Sequence, residues 1–384
     1  FFDSVLLGKP YEGKLQKKIV EEVRKEFAYW YPNDQRHTAV AHVTNHLSFL
    51  IFSHAGIFPE ERWPKAITLN EMVLAEGSKM SKSRGNVVLL DTIAREYGAD
   101  LFRLYCAGSA DFASTLDFRK KDIEAARKRV NKFYVLASEL ASLTTKRKPP
   151  TPLVKWLESR VESAIQKSTR ALEEHRLRDY VQLAFHGLLN AFEHFDARAT
   201  EEEKRSVVPA ALRWISILAP LMPHACEELW LKSKQKGFVS LAEWPVADEK
   251  KIDLHAEAGE DFVALVANDV RKIVDLISKK QKITRAKIIV ATKEKQDAAK
   301  SLVKTRSTPQ EILDENIRAL VEKRFFELKE NPVLLEIDEL AVLKNAKGFL
   351  EKQLGLEIEL ESAAKSKEEK AAKAQPLKPA LILS

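Results

Sequence analysis

The spacing of apolar residues changes twice along the chain and predicts three kinds of structure. In the first part, the run from His42 to Phe58 has helical spacing and predicts a buried helix. Its core positions are Leu47, Leu50, Ile51 and Ile57. A strand-like Ile-Thr-Leu then ends at Asn70, and DTIAREYGADLFRLYCAG has a helical pattern. This alternation predicts part of an α/β domain.

From Asp122 the pattern is that of long amphipathic helices. The stripe of the first helix consists of Ile123, Ala126, Val130, Phe133, Tyr134 and Leu136. A polar stretch from Thr144 to Pro150 ends this helix, because proline cannot continue it. Helical patterns resume over Val154 to His175, Tyr180 to Phe195, Glu201 to Leu218 and His224 to Lys234. We expect a bundle of four to five helices.

Beyond Trp244-Pro245, helical and strand-like runs mix again and predict a small mixed α/β domain. The runs are a helix from Asp261 to Lys280 and the strand-like AKIIVAT, GLEIELES and PALILS. The connection SAAKSKEEKAAKAQPLKP is nearly without large apolar residues, so we expect a mobile loop. The predicted domains are 1–121, 122–250 and 251–384, in keeping with a length of 384 residues that exceeds one core.

Composition narrows the function classes. The net charge of +7 is compatible with a polyanionic partner. Two cysteines, neither in a CxxC pair, argue against a structural zinc site. No apolar run is long enough to span a bilayer and no signal peptide is evident, so we expect a cytoplasmic location without membrane contact. The chain begins without methionine, and we interpret it as a fragment or the later part of a longer protein.

The run GSKMSKSRGN is the most informative segment. Gly77 precedes it and Gly85-Asn86 follow its serines, so the backbone can bend closely around a charged ligand. Lys79 and Lys82 supply mobile positive charge on either side of a serine. By composition alone such a run is a solvated basic loop. The order of its residues is what indicates phosphate binding.

That order resembles the KMSKS motif of class I aminoacyl-tRNA synthetases. The resemblance implies that Lys79 and Lys82 are catalytic, with Lys82 stabilising the ATP phosphates as pyrophosphate leaves in the presence of Mg²⁺. It also implies that the ATP-binding residues include Met80, whose backbone lies near adenine. Ser81 and Ser83 either donate hydrogen bonds to the same phosphate oxygens or cap the next turn.

The flanking segments resemble one branch of that class. YGAD with Arg103 follows the loop, and LAPLMPHACEELW resembles the helical bundle shared by the leucyl, isoleucyl, valyl and methionyl enzymes. Taken by themselves, both motifs are mainly structural. EFAYWYPNDQRHTAVAHVTNHLSFLIFSHAGIFPEERWPK is similar to leucyl-tRNA synthetases of the archaeal and eukaryotic-cytosolic type, and the similarity continues to KPALILS. Isoleucyl and valyl enzymes, the near alternatives, lack the spacing between NHL and IFPE in this segment.

The resemblance implies the fold, the reaction and the partners. We expect a multidomain protein, α/β plus all-α: the second half of a Rossmann-like catalytic domain, an anticodon-binding helix bundle and a small mixed α/β domain. Its substrates would be ATP, leucine and leucine tRNA. No HIGH-like histidine pair or threonine-rich editing segment is visible. The chain alone is therefore expected to be inactive and to need the N-terminal half.

The amino-acid pocket departs from the family pattern. His46, Asn45 and His42 fall where the resemblance places the amino-acid and adenylate pocket. However, Thr38 to His42 stand where the family has SGKDL, so Ala41 replaces an acidic residue that receives the ribose hydroxyls. Losing such a charged hydrogen bond costs roughly 1.5–3 kcal/mol. The alternative is therefore a degenerate paralogue that keeps the fold or RNA binding without aminoacylation, unless His42 compensates.

Clusters of basic residues are expected to contact tRNA, although each is by default a solvated helix face. One cluster follows the segment that resembles a stem-contact region, and the other lies in the last domain, which in archaeal-type relatives meets the long variable arm of the tRNA. The predicted tRNA-binding residues are Arg127, Lys128, Arg129, Lys272, Lys279, Lys280, Lys282, Arg285 and Lys287. Together they would make binding depend on salt.

Overall fold

The computed structural model describes residues 1–146, 149–277, 283–305, 315–323, 328–329 and 331–384. The chain forms two compact units. The first consists of Phe1–Tyr134, Thr169–Gln182 and Ala219–Ala225, and the second of Val135–Ser168, Leu183–Leu218 and Cys226–Ser384. Among the residues described, no helix combines the length and apolar character needed to cross a membrane.

The first 118 residues alternate helices with short strands. The elements are α1 Phe2–Leu7, α2 Lys17–Trp30, β1 Arg36–Ala39, α3 Ser48–Ile57, β2 Ile67–Asn70, β3 Val73–Ala75, β4 Ser78–Lys79, α4 Leu90–Glu96, α5 Ala99–Ser109 and β5 Leu116–Phe118. β1 pairs in parallel with β2, whereas β3 is parallel to β5 and antiparallel to β4. The predicted strand ending at Asn70 and the helical passage after the basic loop are confirmed.

The predicted helix over His42 to Phe58 is confirmed, but the prediction of its burial was wrong. A 3-10 helix, Val40–His42, and a π-helix, Val43–Leu47, lead into α3, which begins at Ser48. Leu47 is buried, but Ile51 and Ile57 are about half exposed, and Phe52 is 76% exposed. The helix is apolar on nearly every side, and the described residues pack over only part of it.

The predicted helical bundle is confirmed, with one run divided. Its elements are α6 Lys120–Ser142, α7 Pro152–Glu173, α8 Leu177–Tyr180, a π-helical turn Val181–Gly187, α9 Leu188–Asp196, α10 Glu201–Ser206, α11 Val208–Leu218 and α12 Pro223–Lys232. The run from Glu201 to Leu218 is interrupted at Val207. In the core of the second unit, the Trp214 ring stacks on Phe192 with centroids 4.3 Å apart, and its Nε1–H donates to the Ala184 carbonyl at 2.8 Å.

The last part is a three-stranded sheet with helices, as predicted. The elements are α13 Leu254–Ile277, β6 Arg285–Val290, α14 Lys293–Thr305, α15 Glu315–Lys323, α16 Glu339–Leu354, β7 Glu357–Ser362 and β8 Ala380–Leu383. β6 is central, parallel to β7 and antiparallel to β8. α13 begins before the predicted Asp261, and residues 278–280 of that prediction lie outside the described residues.

The connection from 362 to 379, predicted to be a mobile loop, is instead packed. Ala371, Ala374 and Leu377 are buried. The Lys295 ammonium donates to the Ala374 carbonyl at 3.0 Å, and the Leu377 N–H donates to the Glu339 carboxylate at 2.8 Å. The prediction failed because alanine methyl groups fill narrow space without a large apolar side chain, and distant side chains satisfy the backbone.

Glu339 makes the stability of the second unit depend on pH. This residue is 2% exposed, and its Oε1 accepts the Leu377 N–H. Burial raises the pKa of this carboxyl from 4.5 to about 7. In the unfolded chain the pKa is near its ordinary value, so the folded state binds the proton more tightly. The free energy of unfolding therefore falls as the pH rises from about 4.5 to 7.

Glu339→Gln should remove this pH dependence. At pH 8 the variant is expected to be more stable than the wild type by up to about 3 kcal/mol, because no buried charge forms. Urea unfolding of the second unit at pH 5 and pH 8 measures the difference. Glu369→Gln, at an exposed position, is the control and should leave the pH profile unchanged. If the free energy of unfolding changed equally with pH in the wild type and in Glu339→Gln, Glu339 would not be the source of the pH dependence.

Candidate functional site

The basic loop extends from a tight hairpin. β3 and β4 are joined by Glu76 and Gly77, whose φ angles are +49° and +77°. Positive φ at both central residues gives the turn a backbone twist that matches a two-residue hairpin. The Gly77 N–H donates to Oδ1 of Asp117 at 2.8 Å, and the Lys120 N–H donates to Oε1 of Glu76 at 2.9 Å. The turn is thus held from outside the hairpin.

Asp117 is the anionic anchor of this turn. The Gly77 N–H and the Arg119 guanidinium, whose Nε lies 2.7 Å from Oδ2, hold the pKa of the Asp117 carboxyl below its usual value. Both contacts favour the charged form of the carboxylate. The anchor is therefore ionised at neutral pH.

A single asparagine shapes the lysine loop, which we define as residues 79–86. Oδ1 of Asn86 accepts the Ser81 N–H at 2.8 Å, and its Nδ2 donates to the Lys79 carbonyl at 3.1 Å. Between them lies a 3-10 turn, Lys82–Arg84, which ends at Gly85 with φ +65°. The predicted bends at Gly77 and Gly85 are confirmed. The shape of the loop is thus set by its own side chains and backbone.

Both predicted catalytic lysines present their ammonium groups to solvent. Lys79 and Lys82 are exposed, and within the described part of the chain neither ammonium has a hydrogen bond or ion pair. Met80 is half-buried. The hydroxyls of Ser81 and Ser83 lie 2.8 Å apart and share a hydrogen bond, and Ser81 does not cap the following turn. The loop can therefore offer two free cations to an anion.

The predicted pocket residues follow the carboxyl end of β1. Ala39 pairs with Asn70, so β1 and β2 end at the same edge, where α/β sheets commonly bind ligands. The Arg36 guanidinium donates from Nη2 to Nε2 of His46 at 2.9 Å, and its buried Nε has no hydrogen-bond partner in the part of the chain that the structure describes. Sequence reasoning did not select Arg36. Its only sequence signal is its place in the quoted YWYPNDQR segment.

His42, Asn45 and His46 lie together on exposed surface. The rings of His42 and His46 meet edge to face with centroids 5.9 Å apart. The Asn45 carboxamide donates to the Ala41 carbonyl at 3.3 Å and accepts the His46 N–H. Ala41 is exposed beside His42 and offers no side-chain acceptor. Their part in an amino-acid or adenylate pocket stays a prediction.

The basic residues predicted on α6 differ in their surroundings. The Arg127 guanidinium donates to the Glu96 carbonyl at 2.7 Å and lies 5.1 Å from the centroid of the Tyr97 ring. Lys128 is exposed, whereas Arg129 is half-buried. Arg127 therefore has a structural role in packing α4 and α6, and Lys128 is the most accessible of the three.

In the last domain, acidic side chains accompany the predicted tRNA-binding residues. Lys272 lies 3.9 Å from Asp269, and Arg285 forms an ion pair with Glu357 at 2.8 Å. Lys279, Lys280 and Lys282 lie outside the described residues. These carboxylates compete with phosphates for the cations, and tRNA contact stays a prediction.

Lys287 has the most acidic surroundings of this group. Its ammonium lies within 3.0–3.6 Å of Glu359, Glu361 and Glu368. Hydrogen bonds to Glu361 and then Glu359 raise the pKa of Lys287, the bond to Glu361 having the largest effect. The side chain is only 19% exposed. Three carboxylates around one ammonium leave a local excess of negative charge.

Three other lysines surround a pocket of about 660 Å³ near the C-terminal strand. Lys370, Lys373 and Lys378 line it and are exposed, and no ion pair of theirs occurs within the described ranges. Sequence reasoning missed them because their segment was interpreted as a mobile loop. The lysine repeat of that segment is the signal that could have identified them.

The described residues contain no group of three or more His, Cys, Asp or Glu side chains that could hold a metal ion.

Comparison with known proteins gives two family models that match separate parts of the chain. Residues 13–146 match tRNA synthetases class I (M), and residues 154–300 match the anticodon-binding domain of tRNA ligase. The first match contains the lysine loop and the exposed histidines. The second contains most of the helical bundle and continues through β6.

Individual relatives match the whole chain. A leucine–tRNA ligase from Staphylothermus marinus is 36% identical and one from Pyrococcus abyssi is 37% identical, each over all of this chain and 42% of the relative. The chain thus spans less than half the length of these curated relatives. A solved structure, the ternary complex of agnB2 LeuRS, tRNA and LeuAMS from Agrobacterium radiobacter K84, is also similar. The match covers 58% of this chain and 30% of the LeuRS chain, at 22% identity and a TM-score of 0.49. That likeness supports no further inference.

Asn86→Ala should loosen the lysine loop while leaving the global fold intact. Losing a hydrogen bond worth about 1 kcal/mol raises the open population about fivefold, so the Ser81 amide should exchange with solvent correspondingly faster. Hydrogen exchange followed by mass spectrometry measures this change. Asn86→Asp is the matched control, because its carboxylate still accepts the Ser81 N–H. Equal acceleration in both variants would contradict the assigned role of Oδ1.

Proposed function

Since the chain is homologous over its whole length to the C-terminal part of leucine–tRNA ligases, we propose that it supplies one half of a leucine–tRNA ligase active site together with tRNA-binding domains. The observation that carries the proposal is the lysine loop, a turn held by Asn86 with two exposed ammonium groups that have no partner among the described residues. The rest of the active site belongs to the remaining part of a synthetase, in the same polypeptide or a separate one.

The proposed chemistry begins with attack of the leucine carboxylate on the α-phosphate of ATP. Pyrophosphate leaves, and the leucyl group then passes to the terminal ribose of leucine tRNA. Negative charge grows on the α-phosphate and on the departing pyrophosphate. Lys79 and Lys82 stabilise that charge more in the transition state than in the ground state, which is the condition for catalysis.

Mg²⁺ fits this scheme as a companion of ATP. Magnesium sites usually combine water and substrate phosphates with one or two carboxylates. The described residues offer no cluster of three ligands, so the ion would be held mainly by the phosphates. When bound, it would neutralise phosphate charge. The contribution of this chain is the two ammonium groups.

An exposed apolar surface on the first unit supports a partner half. Trp30 is 66% exposed, Phe49 73% and Phe52 76%, and Leu90 after the lysine loop is similarly open. Monomeric proteins rarely leave so many large apolar side chains uncovered in one region. The occupant we propose is the remaining part of the synthetase catalytic domain. Covering this surface would also enclose His42 and His46, which would then form one wall of the leucine and adenylate pocket.

The proposed tRNA surface extends over the later domains. The anticodon-binding family match, exposed Lys128 and the pocket of Lys370, Lys373 and Lys378 support it. Unpaired lysines can neutralise phosphates, whereas Arg285 and Lys287 first have to leave their carboxylates. Such contacts recognise the shape of the RNA more than its bases.

A second candidate function is favoured by Ala41. A degenerate synthetase paralogue would keep the fold and an RNA surface but have lost catalysis. Ala41 is exposed in the turn after β1 and provides no acceptor for ribose hydroxyls. His42 beside it is the group that could compensate.

Leucine-dependent exchange of pyrophosphate into ATP tests the proposed function. The full chain, assembled with or fused to the N-terminal part of a related ligase, is expected to catalyse exchange, whereas the chain alone is not. Lys82→Ala should lower the rate of the assembly about a hundredfold, the usual effect of removing one group that stabilises the transition state. Lys167→Ala, at an exposed bundle position, should have no effect because the assay contains no tRNA. A well-folded wild-type assembly without exchange would overturn the proposal.

Ala41→Asp distinguishes the two candidate functions. If the chain is a working synthetase half, His42 or another group already compensates, and the variant should exchange pyrophosphate within about threefold of wild type. A degenerate paralogue would gain about ten- to a hundredfold, because a charged acceptor for the ribose is restored. Ala41→Asn is the neutral control. Wild-type inactivity followed by rescue in Ala41→Asp would favour the paralogue.

A further inference from the structure

The N-terminus of α12 is capped by a residue far away in sequence. α12 begins at Pro223, and the preceding Met222 has no side-chain oxygen that could accept the first amides. The carboxylate of Asp100 takes this place: the Ala225 N–H donates to Oδ2 at 2.7 Å, and the His224 ring Nδ1 lies 2.8 Å from Oδ1. Amides at a helix N-terminus need such an acceptor, and a negative charge suits the helix dipole there.

Arg103 holds the turn that precedes the same helix. Its guanidinium donates from Nη2 to the Pro220 carbonyl at 2.6 Å and from Nε to the Leu221 carbonyl at 3.3 Å. Asp100 and Arg103 lie one turn apart on α5, and all the residues they bind belong to the first unit. One helix thus satisfies both the amides and the carbonyls of the turn 220–225.

A third side chain of α5 connects this helix to the hairpin. The Tyr105 hydroxyl donates to the Asp117 carbonyl at 3.1 Å and accepts the Arg119 N–H at 3.1 Å. Asp117 lies in β5, which pairs with β3, and its carboxylate holds Gly77 at the hairpin turn. The helix α5, with hydrogen bonds at both of its ends, therefore connects the turn 220–225 to the base of the lysine loop.

The hairpin needs this support because its own ladder is very short. β3 and β4 are paired at only two positions, Leu74 with Lys79 and Ala75 with Ser78. A two-stranded hairpin of this length is not stable alone. Its geometry is therefore set by β5 and by the helix that holds β5.

We propose that Asp100 and Arg103 are positioning residues for the lysine loop: by binding the turn 220–225 they fix α5, and through Tyr105 and β5 they set the position of Lys79 and Lys82. This inference rests on the proposed function of the loop. Neither residue contacts the loop directly. Their effect is on where its ammonium groups lie when charge develops on the phosphates.

Pyrophosphate exchange by the assembled enzyme tests the proposal, because loss of a positioning residue should change kcat and leave KM nearly unchanged. Asp100→Ala should lower kcat about tenfold or more and leave the KM for leucine and ATP within about twofold, because misplaced lysines stabilise the transition state less. Asp100→Asn keeps one oxygen acceptor and should recover most of the loss. Arg103→Lys should also lower kcat, because the lysine ammonium lacks the planar guanidinium that donates to both carbonyls.

Gly108→Ala is the matched structural control on the same helix. A methyl group there would come within 2.9 Å of Val181 Cγ1, so it disturbs the packing of α5 without removing the hydrogen bonds of Asp100 or Arg103. Rates are compared at equal folded fraction, taken from thermal unfolding. If Asp100→Ala keeps the kcat of the wild type, or if Asp100→Asn is as slow as Asp100→Ala, the positioning role is overturned.

Hydrogen exchange on the full chain tests the proposal without catalysis. Asp100→Ala should accelerate exchange of the Gly77 and Ser81 amides several-fold, together with that of Ala225. Acceleration confined to residues 222–226 would overturn the positioning role, whatever the activity. An assembly without exchange of pyrophosphate would count against the proposed function, and the amide measurement would then decide the inference separately.

Discussion

The hydrogen bond between the Gly77 N–H and the Asp117 carboxylate is the constraint on which the candidate site depends. The hairpin that carries the lysine loop has two residue pairs and a turn with two positive φ angles, so its own bonds cannot fix it. Asp117 supplies the missing fixed point from β5, and Asn86 then shapes the loop itself. As a result, the loop presents two exposed ammonium groups that have no protein counter-ion among the described residues. Cations fixed in this way are more typical of an anion-binding site than of a structural loop.

The two units differ in how completely they cover their apolar side chains. The second unit buries Phe192, Phe195 and Trp214. The first leaves Trp30, Phe52 and Ile57 open on elements that flank the candidate site. Because the same chain contains both kinds of surface, the exposed residues do not reflect a generally loose fold. They lie on the unit that contains the lysine loop.

Sequence reasoning succeeded where structure follows from local periodicity. The helices of the bundle and the strands of the last domain came from apolar spacing, because a helix or strand buries one face. It failed where partners are distant. Nothing near Asp100 indicates that it caps a helix 124 residues later, and nothing near Lys287 indicates the carboxylates of the neighbouring strand. The connection 362–379 was misjudged because small side chains can be buried without an apolar pattern. The exposure of α3 was missed because apolar spacing predicts that a helix face will be buried. It does not show which part of the protein, or which partner, buries that face.

The distance in sequence between Asp100 and its helix has a consequence for biosynthesis. The ring of His224 and the amide of Ala225 leave the ribosome 124 and 125 residues after the carboxylate that binds them. At about 5–20 residues per second, this interval is roughly 6–25 s. During that time α4, α5 and the hairpin exist without the turn 220–225. The first unit is thus completed late and out of chain order, after α6 to α11 have been made, and its assembly on the ribosome is limited by elongation rather than by local folding.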